Sequence, residues 1–379
     1  MVEKRGNSLR FYSWLTLVII GVGLGLWGVI TLLVDGHSTT GASSQVPWGI
    51  FVSTYVFFVA ASAGSMIVML GYALGIKRFA IVMKRTVFLA IVTVLAGGVL
   101  IILDLGSPQS ILNTLTSPNF STPLWWMVVF YALYLILLLL QYYFITKNDH
   151  GKLRVMSIFT AISAIAVHST LSSIFGFAAV RSYFGGAFAP VYFILIALVI
   201  GTALILFITI LQQKLNKKSL SSDLNGIMMD LGKFLGILLT VTIFFIIWKD
   251  LIGIGSTVAT TELAYEHILG SWWYWLVIIA IGLAIPAILL LNPKTRTPNM
   301  IMVSSIFVLI GMFMARFEFI IGGQLVPVLQ NLTHLEYPLG SYVPTFIEIA
   351  VVIFAFSGVI LVYTVGTRVM SLEKAPQHE

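Results

Sequence analysis

Six ionisable residues of this 379-residue chain stand inside or at the ends of long apolar runs: Asp104, His168, Asp250, Arg316, Glu318 and Glu348. Charged groups are expensive in such surroundings, so each is a candidate for chemistry. Asp104 closes an apolar run, is followed by Gly106 and Pro108, and precedes a polar loop holding Pro118 and Pro123 before Trp125 and Trp126. A carboxylate at such a boundary can meet a redox molecule dissolved in the bilayer and still reach protons in water. His168 lies about 13 residues, roughly 20 Å of helix, from the basic end of its run and can donate to a carbonyl oxygen and exchange the proton. Arg316 and Glu318 are two apart and point in different directions, so either can pair with Glu348 or Asp250 but not with the other.

Each of these residues also has a plainer role open to it. Asp104 can be a hydrated carboxylate bonded to the loop amides that follow it. His168 lies on a stripe of small residues, Ser157, Ala161, Ala164, Ser172 and Gly176, so it faces a closely packed neighbour and can be a satisfied interhelical histidine. Gly71 and Gly75 have the spacing of close helix packing.

The elements that must position these groups follow from composition. Hydrophobic residues make up 59% of the chain and charged residues 9%, which no water-soluble core matches. About 20 apolar residues cross a hydrocarbon core of roughly 30 Å. Runs of suitable length cover approximately 11–34, 48–76, 86–103, 124–145, 155–180, 187–211, 227–248, 272–291, 300–321 and 343–365. The fold expected is therefore an all-α polytopic membrane protein of about ten transmembrane helices, with residues 1–379 forming a single integral membrane domain. The first run is longer than a signal-peptide core and lacks a convincing cleavage site, so it reads as a span. The seventh is the least regular, because Asp230 and Lys233 fall in its first turns.

Basic residues alternate between the two sides. Lys4, Arg5 and Arg10, then Lys77, Arg78, Lys84 and Arg85, then Lys147, Lys152 and Arg154, and further lysines and arginines to the C-terminus occupy one side; the other holds only Arg181 and Lys249, at loop edges. By the positive-inside rule this multi-pass chain lies in the cell (plasma) membrane with both termini cytoplasmic. The formal charge of +7 reports that orientation and does not point to nucleic acid. The long opposite loops, 35–47, 104–123, 249–271 and 322–342, carry an aromatic belt that includes Trp48, Trp125, Trp126, Trp272, Trp273 and Trp275. Asn119 and Asn331 head weak glycosylation sequons on that face.

A faint repeat relates spans two to five to spans six to nine. Spans two and six follow Pro47 and Pro190, and spans three and seven end in Asp104-Leu105-Gly106 and Asp250-Leu251-Ile252-Gly253. This predicts two parallel four-helix bundles plus flanking helices. Several chemistries are excluded by count. There is no cysteine, hence no thiolate-held iron-sulfur cluster or zinc site in the chain. Only His168 of the six histidines lies within a span, which rules out a bis-histidine haem, and no metal-binding cluster or nucleotide loop stands out.

Several segments together resemble the NrfD-like integral membrane subunits of polysulfide-reductase-type oxidoreductases. They are Pro47 to Gly49 with Ala60 to Gly64, Leu103 to Pro108 (LDLGSP), Ser117 to Trp126, Val167 to Ser173, Phe188 to Phe193, Arg316 to Gln324 and Tyr342 to Ile349. The resemblance implies a haem-free quinone-binding anchor for an extrinsic, ferredoxin-like iron-sulfur subunit and for a molybdenum, tungsten or hydrogenase catalytic partner. It maps Asp104, His168 and Arg316 onto positions of the quinone and proton pathway. On the chemistry of a quinone pocket, aromatics such as Trp126 and Tyr131 can wall the ring. Ser107 stands where the pattern usually has a basic residue. With no internal redox relay, and with the polar candidates in the outer half, the partners are expected on the non-cytoplasmic face, where Glu262, Glu266 and Glu336 can meet basic residues.

Two other readings compete. A secondary transporter also has many helices and a basic inner face, but its site is usually near the midplane between helices broken by Gly or Pro, and Pro286 is the only proline well inside a span here. A redox-driven proton-translocating subunit needs a polar route through the inner half, where mainly Ser157, Thr160, Ser163 and Lys233 are available. Electron transfer without pumping is the expectation.

Overall fold

Local signals start several of the long helices. Pro123 and Pro298 occupy first turns, where the missing amide proton costs nothing. Ser221 accepts from the amide of Leu224, Thr297 from that of Met300, and Thr345 and Glu348 form a reciprocal capping box. A computed structural model describes residues 2–106, 109, 111–176, 181–184, 188–216, 219–328, 337–370 and 372, and every regular element among them is helical.

In chain order these are α1 (Val2–Asp35), α2 (Ile50–Ala63), α3 (Met66–Ala73), α4 (Ala80–Asp104) and the short α5 (Ile111–Thr116). There follow α6 (Pro123–Thr146), α7 (His150–Gly176), α8 (Phe188–Leu215), α9 (Ser222–Ile254) and the surface helix α10 (Ala259–Leu269). A π-helical stretch, Tyr274–Ala284, continues into α11 (Ile285–Leu291), followed by α12 (Pro298–Gly322) and α13 (Phe346–Val369). Ten crossings are long and apolar enough to span a membrane, α2 with α3 and the π-helix with α11 each making one. The protein is thus an all-α polytopic membrane protein, with an outer end, the end of the 36–49 and 105–122 connections, and an inner end.

The crossings close into two rings. In the first, α2–α3, α4, α6 and α7 are successive neighbours; in the second, α8, α9, the π-helix with α11, and α12 are. The two four-helix bundles meet where α2 and α7 pack on α8 and α2 packs on α12, while α1 pairs with α13 along α4. The closest approach is between α2 and α8: a Cβ on Gly64 would stand 2.6 Å from the Cα of Gly201. Only glycine admits two backbones at that distance.

Helix interiors and ends depart from the hydropathy pattern in three places. The second span is interrupted at Gly64 and Ser65, so Pro286 does not mark the only irregular span. The eighth span is wide before Pro286 because the proline ring would clash with the carbonyl of residue 282; Ile285 instead donates to Ala280. Finally, α9 continues to Ile254 and α4 begins at Ala80, so Lys249 and Arg85 lie within helices and are buried, at 8% and 3% exposure. Hydropathy falls at a charge whether or not the helix stops, which is why both were expected in loops. Asp230, the irregularity at the start of span seven, pairs with Arg78 at 2.5 Å near the inner surface.

Candidate functional site

In the first bundle α6 presents Met127, Tyr131, Tyr134 and Leu138 inward at helical spacing. Tyr131 donates to the carbonyl of Val94 at 2.5 Å, and its hydroxyl lies where side chains on Gly97 or Gly98 would project. Tyr55 of α2 donates to the sulfur of Met127 at 3.3 Å. Deeper in, Ser62 donates to the Ala90 carbonyl at 2.8 Å and lies 3.0 Å from the Tyr134 hydroxyl. The α2–α4–α6 interface therefore carries a line of hydroxyls. Asp104 is seven residues beyond Gly97, two turns or about 10 Å outward on the same side of α4. It is half-buried, and its electrostatic neighbours are Glu348 and Tyr342.

The rim around Asp104 is fixed by contacts remote in sequence. Glu348 accepts from the amides of Gly41 at 2.9 Å and Thr345 at 2.8 Å and from the Tyr342 hydroxyl at 2.7 Å. Tyr342 also accepts from the amide of Ile50 at 2.8 Å, at the start of α2. Burial and the bond to Glu348 hold its phenol above the ordinary range. Gln324 accepts from the Trp48 amide and donates to the Trp48 carbonyl, both at 2.9 Å.

His168 and Arg316 belong to a second place, the seam between bundles. His168 is fully buried on α7 along with Ser157, Ala161, Ala164 and Ser172, and neither ring nitrogen has a partner. The charged group coupled to it is Arg316. Arg316 is 1% exposed; its Nη2 donates to the Phe193 carbonyl at 3.3 Å, its guanidinium lies 4.2 Å from the Phe193 ring centroid, and Nε and Nη1 have no partner. It pairs with neither Glu348 nor Asp250. Unsatisfied nitrogens at such depth are rare in proteins and mark a place where an acceptor is missing.

The expected site residues are therefore not gathered at one point. Asp104 shares its surroundings with Tyr342 and Glu348, whereas His168 shares its own with Arg316. Trp126 stands five residues before Tyr131, about 140° away around α6. It stacks on Phe130, donates its indole hydrogen to the Phe120 carbonyl at 2.9 Å, and is 38% exposed, the posture of an interface aromatic. Ser107, Asn331 and Glu336 lie outside the described residues. Asn119 accepts from the amide of Ser121 in a tight turn.

In the second bundle one buried charge was not a candidate from sequence. Lys249 lies in the second bundle with Glu318, Asp250 and several tyrosines, and Glu318 faces it because two residues rotate the chain about 200° from Arg316. The neighbouring Asp250 was the signal available, since a lysine beside an intramembrane aspartate is a candidate for pairing.

The family model for polysulphide reductase, NrfD, matches residues 38–328, a span that includes both bundles with Asp104, Tyr131, His168, Lys249, Asp250, Arg316 and Glu318, but not Tyr342, Thr345 or Glu348. The chain belongs to the NrfD family. Relatives align with it over most of their length and its own. It is 26% identical to the Hdr-like menaquinol oxidoreductase integral membrane subunit of Archaeoglobus fulgidus, over 97% of this chain and 95% of the relative. It is 22% identical to a selenate reductase subunit of Mesobacillus selenatarsenatis, over 92% of each. The menaquinone reductase integral membrane subunit of Nitratidesulfovibrio vulgaris is also 22% identical, over 86% of this chain and 84% of the relative.

Proposed function

We propose that this NrfD chain is the quinone-interacting membrane anchor of a multi-subunit oxidoreductase, exchanging electrons with an iron-sulfur partner docked on its outer end. One observation carries the reading: buried His168 and Arg316 present four nitrogens without hydrogen-bond partners in the outer half of the seam. A bound quinone supplies two carbonyl acceptors and, when reduced, two hydroxyl protons. Arg316 is a permanent donor, held against Phe193, and orients an acceptor oxygen. His168 is a donor in its neutral form and has a second nitrogen free to take a proton. Asp104, half-buried beside Tyr342 and Glu348, exchanges protons with outer water beyond the hydroxyl-bearing α2–α4–α6 interface. The names of the relatives, two of which cite menaquinol or menaquinone, support a menaquinone-like substrate.

The absence of cysteine supports an iron-sulfur cluster held by a partner, and the depth of His168 and Arg316 supports docking at the outer end. The catalytic partner is then of the molybdenum or tungsten type, or a hydrogenase. With basic loops inside, both termini are cytoplasmic in the cell membrane. The test is purification of the intact complex, with solvent extraction of quinone and metal analysis. Quinone together with iron and molybdenum, tungsten or nickel is the expected result. Recovery of a lone, quinone-free chain that accumulates a solute in vesicles would overturn the reading in favour of a transporter.

A further inference from the structure

The second bundle buries a charge cluster that quinone chemistry in the seam does not require. Lys249, Asp250 and Glu318 are 8%, 9% and 3% exposed. The Lys249 ammonium stands 3.7 Å from Asp250 and 3.8 Å from Glu318, beyond direct hydrogen-bond reach. Its close contacts are the Tyr183 hydroxyl at 3.2 Å and the rings of Tyr183, Tyr265 and Tyr192 at 5.4, 5.5 and 6.0 Å. Each carboxylate has one phenol donor, Tyr183 to Glu318 and Tyr274 to Asp250, the latter at 2.6 Å. Asp250 Oδ1 has no hydrogen-bond partner. The residue before the aspartate at the outer end of the span is Leu103 in the first bundle, where Asp104 closes α4, and Lys249 in the second, where Asp250 lies in the last turns of α9, so the repeat unit of the second bundle carries an ammonium the first lacks.

The charge count is unbalanced. Two carboxylates and one ammonium leave a net charge of −1 when both acids are ionised, and an uncompensated charge is strongly disfavoured in so buried a place. The facing groups are the phenols of Tyr183, Tyr192, Tyr265 and Tyr274, with Arg316 reaching the cluster only through the Tyr192 ring, 6.0 Å from its guanidinium. None of them neutralises the surplus. We propose that Lys249, Asp250 and Glu318 form a proton-exchange site at the outer end of the second bundle, in which Asp250 and Glu318 share one proton and Lys249 is the fixed counter-charge. The proton passes between a carboxyl oxygen and outer water, and its removal leaves the second carboxylate ionised; no electron moves. Asp250 is the doorway, its side chain being 12% exposed against 2% for Glu318.

Infrared spectroscopy of the purified full-length protein tests this without reference to quinone. At neutral pH a protonated-carboxyl band that shifts in heavy water is expected, lost in both Asp250→Asn and Glu318→Gln and retained in Asp104→Asn. Lys249→Met removes the counter-charge, so both acids become protonated and the band grows about two-fold. The wild-type band must also bleach as pH is raised, a readout that survives if the variants fail to fold. Absence of the band in the wild type, or its persistence in both Asp250→Asn and Glu318→Gln, would overturn the proposal while leaving the quinone reading intact.

Discussion

Tyr342 donates its phenolic hydrogen to Glu348 at 2.7 Å and accepts the amide of Ile50 at 2.8 Å, so one hydroxyl ties the tenth crossing to the first turn of the second. Tyr342→Phe strands both partners, and an unsatisfied buried polar group costs about 1 to 3 kcal/mol. Thermal unfolding in detergent should show a lower midpoint for this variant; an unchanged midpoint would mean that water replaces the hydroxyl at no cost.

Asp104→Asn keeps the shape of the side chain and removes its titratable proton. Assembly with partner subunits should be intact, while quinol-linked turnover falls by about tenfold or more, the scale of a lost acid–base group. Turnover equal to wild type across the pH range would return Asp104 to a structural role.

Alkaline stability should depend on the tyrosines that cover the second bundle. Burial, partly offset by Lys249, pushes Tyr265 of α10 up to about 12, and Tyr183 is raised in the same direction by burial and Glu318. The folded protein holds these protons more tightly than the unfolded chain. Their contribution is therefore full below pH about 10, the unfolded value, and for Tyr265 is lost as pH climbs to about 12. Unfolding followed at pH about 11 should find Tyr265→Phe losing less stability, relative to neutral pH, than the wild type; equal losses would contradict the assignment.

Docking at the outer end makes a spatial prediction. Glu262 and Glu266 project from α10, one turn apart and exposed, with charge suited to a basic partner surface. Crosslinks from the iron-sulfur partner should fall on α10 and on 105–122. Crosslinks confined to the basic inner turn at Lys77 and Arg78 would reverse the docking face.

The crossings were legible in the sequence because hydropathy and alternating loop charge are local signals, and the bundle pairing because Asp104 and Asp250 stand near the outer ends of equivalent spans. The site was legible only as a set of residues. Glu348 meets Gly41 across 307 positions and Gln324 meets Trp48 across 276, and no periodicity says which helix faces which. The same blindness grouped Asp104 with His168, though their charged neighbours differ, Glu348 for the one and Arg316 for the other, and Trp126 with Tyr131, though α6 turns them about 140° apart. Lys249 was misplaced because a charge lowers hydropathy in the same way whether the helix ends or a buried carboxylate is waiting for it.

Binding of a soluble menaquinol analogue, followed by tryptophan fluorescence on the purified protein, tests the central claim most directly. The wild type should bind saturably at one site, and Arg316→Met and His168→Phe should each weaken binding by about tenfold or more, the effect of losing a buried donor to a polar ligand. Arg316→Met should do so with folding stability unchanged or raised, because no ion pair is broken when that guanidinium is removed. Absence of saturable binding to the wild type, or affinity in both variants equal to it, would contradict the account.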